Sequence, residues 1–209
     1  MEAQVNQERL AKVQTLYNGS HPPNGNGTVE ACVMEAVAYV AGEPWSDHPE
    51  CTCPVLTAFM VAWNDGLPNN AERDRLLKPL IPKLVGTRST KEVEHRRATM
   101  AADWLIRVHT PAWLRLAKLN DQAALLEVLP EITDFVQCPS LMPTLQAVRK
   151  DAEATWAAAG AAAWAAAWAA ARAAAGDAAG DAAGDALAPT VAKLQQSALE
   201  LVERMINVK

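Results

Sequence analysis

Aromatic side chains are scarce in this chain of 209 residues: Phe, Tyr and Trp together make up 5 %, and seven of the eleven are Trp. Hydrophobic residues account for half of the chain, but much of that count is alanine. Alanine buries little area, so close approach of helices has to replace side-chain bulk. No period-2 run of β-branched residues supports a sheet. The chain has no G-x4-G-K-[ST], G-x-G-x-x-G, G-x-S-x-G or H-E-x-x-H motif. It also has no zinc finger, no helix-turn-helix glycine pattern and no aromatic-basic repeat. No cofactor is expected, and an enzyme would have to be of unfamiliar design.

The N-terminus, MEAQVNQERLAKVQ, is amphipathic and charged from residue 2, unlike a secretory signal. The one stretch long enough to cross a membrane is weakly apolar alanine, interrupted by Arg172, Asp177, Asp181 and Asp185. Four cysteines, Cys32, Cys51, Cys53 and Cys138, read as reduced thiols in a chain with no export signal. These absences predict a cytoplasmic protein without a membrane partner.

What is present is helical spacing along nearly the whole chain. A first helix is expected over about residues 3–17, stopped by NGSHPPNGNG, and a second from a Thr28 cap through Val40, ended by Gly42. Pro54 suits the first position of a third, PVLTAFMVAW, and Pro79 and Pro82 should shorten a fourth. Ser89 and Glu92 form a capping box for a fifth helix ending near His109, and Thr110-Pro111 restarts the chain as helix. Asp121 caps the next helix, which Pro130 limits, and Pro189 separates a final amphipathic helix. The fold class is all-α, a compact array of about eight to ten helices in a single domain, 1–209. Residues 1–27 form a loosely attached N-terminal helix and linker, and 144–209 an alanine-rich helical part.

In that last part a non-alanine residue returns every fourth position, through Trp156, Gly160, Trp164, Trp168, Arg172, Gly176, Gly180 and Gly184. A period of four advances about 40° per step around a helix, so the large side chains trace a slow spiral instead of one stripe. Unbroken, 144–187 would run about 66 Å at 1.5 Å per residue. A break is therefore expected near Gly176–Gly184, with the alanine-rich helix packed centrally or as a hairpin.

Two stretches carry candidate site residues. GEPWSDHPECTCP gathers Glu43, Trp45, Asp47, His48, Cys51 and Cys53. The His48-x2-Cys51-x-Cys53 spacing matches no familiar zinc pattern, so no metal is expected. As an N-cap, Cys53 would be a nucleophile only with a base such as His48, His95 or His109 nearby. The ordinary reading makes the cysteines buried hydrophobes. In the second stretch, Val93, Arg97, Met100, Trp104 and Val108 share one helical face. An inward arginine must find a carboxylate or several carbonyls, and Glu43 or Asp47 is the expected partner. Arg96 and Arg107 lie on the outer side and suit phosphate.

Charge is uneven. Residues 71–118 hold eleven Lys/Arg against five Asp/Glu (+6), which leaves eight basic and nineteen acidic residues (−11) for the rest of a chain of net charge −5. This split permits either a basic face for an anionic partner or internal neutralisation.

ACVMEAVAYVAGEPWSDHPECTCPVLTAFMVAWNDGLP, LLKPLIPKLVGTR and AADWLIRVHTPAWLRLA resemble the uncharacterised alanine-rich, GEPWSDHP-containing proteins of actinobacteria and their bacteriophages. Those proteins also end in W/R/G/D-AAA tetrads, and the resemblance covers about residues 28–205. It implies a natural single-unit fold and supplies no catalytic residue. The leading expectation is a non-enzymatic helical interaction protein, a phage or mobile-element accessory factor that binds a host macromolecule, protein ahead of nucleic acid. One alternative is an enzyme or small-ligand site at the GEPWSDHP loop and Arg97. The other is nucleic-acid binding through 71–118. A homo-oligomer is compatible with all three.

Overall fold

The computed structural model describes residues 3–23, 29–170 and 176–209, with the side chains of 156–186 outside the description. The architecture is all-α, with a single pair of two-residue strands among the described residues. Contacts divide the chain into two compact units, Met1–Ala98 with Val202–Lys209, and Thr99–Leu201.

The first unit is organised around helix α2, Val33–Ala41, in which seven of nine residues are buried. Its N-cap is Cys32, not Thr28, which lies outside the described residues. Cys32 Sγ accepts from Glu35 N at 3.5 Å, and the Glu35 carboxylate returns to Cys32 N at 2.8 Å, a reciprocal capping box with sulfur in the hydroxyl's place. Gly42 closes the helix at φ 81°, a left-handed conformation that favours glycine, and its amide reaches back to Ala38 and Tyr39.

Helices α1 (Gln7–Lys12), α3 (Pro54–Gly66) and α5 (Ile81–Leu84) pack on α2, while α4 (Asn70–Leu77) packs against strand β1 (Thr15–Leu16). β1 pairs in parallel with β2 (Glu30–Ala31). The expected 3–17 helix is thus confined to its middle. The chain becomes extended at Val13 and enters β1, where Leu16 is fully buried.

The N-terminal arm is hydrogen-bonded to the rest of this unit. Asn6 N donates to Val40 O at 3.1 Å, Leu16 N to Asp74 Oδ1 at 2.8 Å and Gly19 N to Asp65 Oδ1 at 2.8 Å. Pro79 and Pro82 do shorten the fourth segment, into α4, a 3-10 turn and α5.

Helix α6 (Lys91–Trp104) runs from the first unit into the second. Thr90, one residue after the expected Ser89, caps it, with Oγ1 accepting from Val93 N. Beyond Trp104 the chain forms a π-helical turn, Leu105–His109, before α7 (Thr110–Leu116). The π-turn holds more residues per turn than an α-helix. A 3.6-residue period extended from Val93 therefore fails at Val108, which is exposed, not inward.

In the second unit α7 packs on the π-turn and on α8 (Asn120–Glu127), and α8 packs on α9 (Cys138–Ala170). Leu114, Ala123, Leu126 and Val148 form the buried cluster. Leu119 occupies the cap of α8, leaving Asp121 in its first turn.

Pro143 lies inside α9 and Pro189 inside α10 (Gly176–Asn207), so Pro189 does not separate the final helix as expected. Gly176, Gly180 and Gly184 likewise lie within α10 and do not break it. Each proline removes one amide donor, and the strong helix-formers around it carry the helix through. Residues 171–175, and the packing of the tetrad side chains from Trp156 to Gly184, lie outside the described residues. The expectation of a central or hairpin alanine helix therefore also falls outside them.

Candidate functional site

The GEPWSDHP loop folds on itself around Glu43. This residue follows the glycine that terminates α2, and its own amide returns to Ala38 O at 3.0 Å. Its carboxylate then faces forward along the loop and accepts from Glu50 N at 2.7 Å and from Cys51 N at 2.8 Å. Trp45 is half-buried, donates Nε1 to His21 O at 2.7 Å and meets Tyr39 edge-on. Asp47 bonds its neighbour, with Oδ1 2.7 Å from His48 Nδ1, and the His48 side chain is 70 % exposed.

The far end of the loop is tied to residues 84–88. Thr87 Oγ1 donates to Leu84 O and accepts from Cys53 N, while Arg88 N donates to Cys51 O. Cys51 and Cys53 are buried in this joint. Burial pushes the Cys51 thiol up from its ordinary value, and that of Cys32 up to about 12, so both stay protonated near neutrality. Among the described residues no three His, Cys, Asp or Glu side chains are grouped to hold a metal.

Arg97 is buried, at 3 % exposure, but its partners are not carboxylates. Nη1 donates to Thr87 O at 2.6 Å, Nε to Met205 O at 2.8 Å and Nη2 to Val208 O at 3.2 Å. The expected pairing with Glu43 or Asp47 is thereby replaced. Glu43 is engaged by two amides and Asp47 by His48, whereas three carbonyls converge on the guanidinium fork. Two of those carbonyls belong to the C-terminal end of α10, where a cation is favoured. The loop and α6 are still joined, through Thr87: its side chain binds the loop and its carbonyl binds Arg97.

Glu43, Trp45, Asp47, His48 and Arg97 thus bond separate partners. A cleft of about 800 Å³ touches Glu43 on its other side, lined also by Asn6, Arg9 and Gly42. Arg9 reaches across it to Tyr39 O at 2.9 Å and lies over the Tyr39 ring. Because Asp47–His48 is an exposed pair, His48→Ala should change stability by less than about 0.5 kcal/mol in urea denaturation. Glu43→Ala should cost about 1–2 kcal/mol, because two amides lose a charged acceptor. Equal losses from both would contradict this division of labour within the loop.

Six cations of the basic segment pair with carboxylates, of which only Glu127 and Glu203 lie outside it. Arg75 pairs with Glu72, Lys83 with Glu203, Arg88 and Lys91 with Glu94, Arg107 with Asp103 and Arg115 with Glu127. Arg73 is buried on Asn64 O and Leu67 O, and Lys78 donates to Gln14 O. Arg96 is exposed, as its outer position on α6 requires. Arg107 belongs to the second unit, where the Asp103 it binds also accepts Ile132 N at 2.9 Å. Its role there is to hold a turn.

The sequence reading missed two features. One is Glu35, buried at 1 %, which gathers Ser20 Oγ, His21 N and Cys32 N. The C-x-x-E spacing is its only local signal. The other is a set of exposed apolar side chains. Leu105, Val108, Trp113, Leu125, Val128, Phe135, Val136, Met142 and Leu187 are the large exposed hydrophobics among the described residues, and every one lies in the second unit. The run LLEVL in and after α8 was the available signal, because it places apolar residues on more than one face of a short helix.

Trp113 stands ordered among these side chains. Its Nε1 donates to His109 Nε2 at 3.1 Å, and His109 packs at 5.1 Å from the Trp104 ring. Trp104 in turn donates to Ser197 Oγ at 3.0 Å. Burial holds the His109 pKa below its ordinary value, which favours the neutral ring that accepts from Trp113. Comparison of the chain with protein-family models, with curated proteins and with solved structures gives no match.

Proposed function

We propose that this chain is a non-enzymatic, cytoplasmic interaction protein whose second unit binds a partner protein through its exposed apolar side chains. The GEPWSDHP resemblance supports a phage or actinobacterial accessory role. The observation that carries the reading is the segregation of exposed hydrophobics: nine in the second unit and none in the first, among the described residues. Monomeric proteins rarely expose apolar side chains in such concentration without a use for them. The polar residues expected to form a ligand site instead bind main-chain groups or one another. Paired cations also give little support to phosphate binding, which needs free donors and releases counterions.

The test is affinity capture from the native cell by the full chain and by a Val128→Asp/Val136→Asp double variant. These side chains are 78 % and 82 % exposed, so the fold should tolerate both changes. The expected result is a protein held by the parent and reduced at least tenfold with the variant. Equal capture by both would overturn the reading. So would recovery of nucleic acid with affinity falling steeply as salt rises.

A further inference from the structure

We infer that the cleft between the N-terminal arm and the end of α2 is a binding site for a small organic monocarboxylate, held by Arg9. The cleft lies wholly in the first unit, so it is independent of the partner-protein contact proposed above. Its volume of about 800 Å³ falls within the roughly 300–1,000 Å³ of small-molecule sites. Asn6 and Arg9 line it from the arm, and Gly42 and Glu43 from the turn that ends α2.

Arg9 selects the ligand. It is half-buried, its Nη1 donates to Tyr39 O at 2.9 Å, and its guanidinium lies 5.3 Å from the centre of the Tyr39 ring. Tyr39 is placed in turn by Trp45, which meets it edge-on and donates Nε1 to His21 O. The guanidinium is thus anchored through one N–H and over a ring, while among the described residues no carboxylate pairs with it. An arginine held in place with N–H groups to spare is preorganised for an oxyanion, because its ordering cost is met before the ligand arrives. Asn6 adds a neutral donor. Its Oδ1 accepts from Arg9 N at 3.0 Å, which leaves its NH2 group for a ligand oxygen.

Charge limits the class. Arg9 and Glu43 give the lining one positive and one negative residue, so nothing there offsets the second charge of a dianion. A single carboxylate matches one guanidinium in charge and in its two parallel acceptors. Glu43 is engaged by the Glu50 and Cys51 amides at 2.7 and 2.8 Å, and it forms no ion pair with Arg9. Ala3, Val5 and Ala41 complete the lining and offer apolar contact to an organic body.

Amide NMR spectra of the full chain, titrated with sodium benzoate, test the site, with sodium sulfate and benzylammonium chloride as comparison salts. Benzoate should shift the Asn6, Gly42 and Glu43 amides and the Arg9 Nε–H saturably at millimolar concentration, and leave the α8 amides in place. Arg9→Gln should weaken benzoate at least tenfold. Asn6→Ser, which keeps a capping oxygen but loses the NH2 group, should weaken it at least threefold. Unchanged α3 amides check the fold of each variant, and Asn6→Ser decides the matter if Arg9→Gln does not fold. No saturable shift in the parent would overturn the site. Benzoate binding that the folded variants leave intact would overturn Arg9 and Asn6 as its holders. Sulfate or benzylammonium bound as tightly as benzoate would overturn the monocarboxylate class.

Discussion

Arg97→Ala is expected to lower stability by about 3–5 kcal/mol, because three carbonyls lose a charged donor in a buried site. The guanidinium joins Thr87, in the turn that holds the GEPWSDHP loop, to Met205 and Val208 at the end of the chain's last helix. Its removal leaves those oxygens without that donor and a cavity where the side chain stood. Arg97→Lys should recover only a minor part, since one ammonium cannot reach three carbonyls set around a planar fork. Urea denaturation followed by circular dichroism measures both effects. An alanine variant as stable as the parent would show that water replaces the guanidinium without penalty, and would remove Arg97 as the link between loop and helix.

Glu35→Ala is expected to cost about 3–4 kcal/mol, with Glu35→Gln intermediate. The carboxylate accepts from Ser20 Oγ, from His21 N and from Cys32 N, at 2.7–2.8 Å, while 1 % exposed. Glutamine keeps one oxygen but turns an NH2 group toward an amide donor, so at least one of these bonds is lost. The loss should have a local signature. Amides between Tyr17 and His21 should exchange hydrogen faster than those of α3, because Glu35 ties that segment to α2. Uniform acceleration across the first unit would contradict the local anchor and make Glu35 a general core residue instead.

The two residues illustrate what a one-dimensional pattern can carry. That Arg97 is inward followed from its place beside Val93 on α6, and that an inward arginine needs strong acceptors followed from electrostatics. Which acceptors it finds depended on bringing residue 97 against residues 205 and 208, more than a hundred positions away. Nothing in local spacing could rank those carbonyls above the nearer carboxylates of Glu43 and Asp47. Glu43 shows the converse case. It sits directly after a helix-terminating glycine, and its partners are seven and eight residues away, whereas the sequence places it as a candidate site residue and expected partner of Arg97. A carboxylate facing two loop amides has the same composition as one facing a ligand.

The helical character, the Gly42 stop and the proline-shortened α4–α5 segment were determined by the sequence, because caps and prolines act within one turn of the chain, whereas Thr110 does not cap α7 as expected and donates Oγ1 to Leu105 O. The extended step at Thr15–Leu16 and the π-turn that rotates Val108 outward were decided by tertiary structure. So was the confinement of the large exposed hydrophobics, among the described residues, to the second unit. Each of these turns on which side chains meet across long separations, and free energies of a few kcal/mol from such contacts outweigh local propensities of about 1 kcal/mol or less per residue.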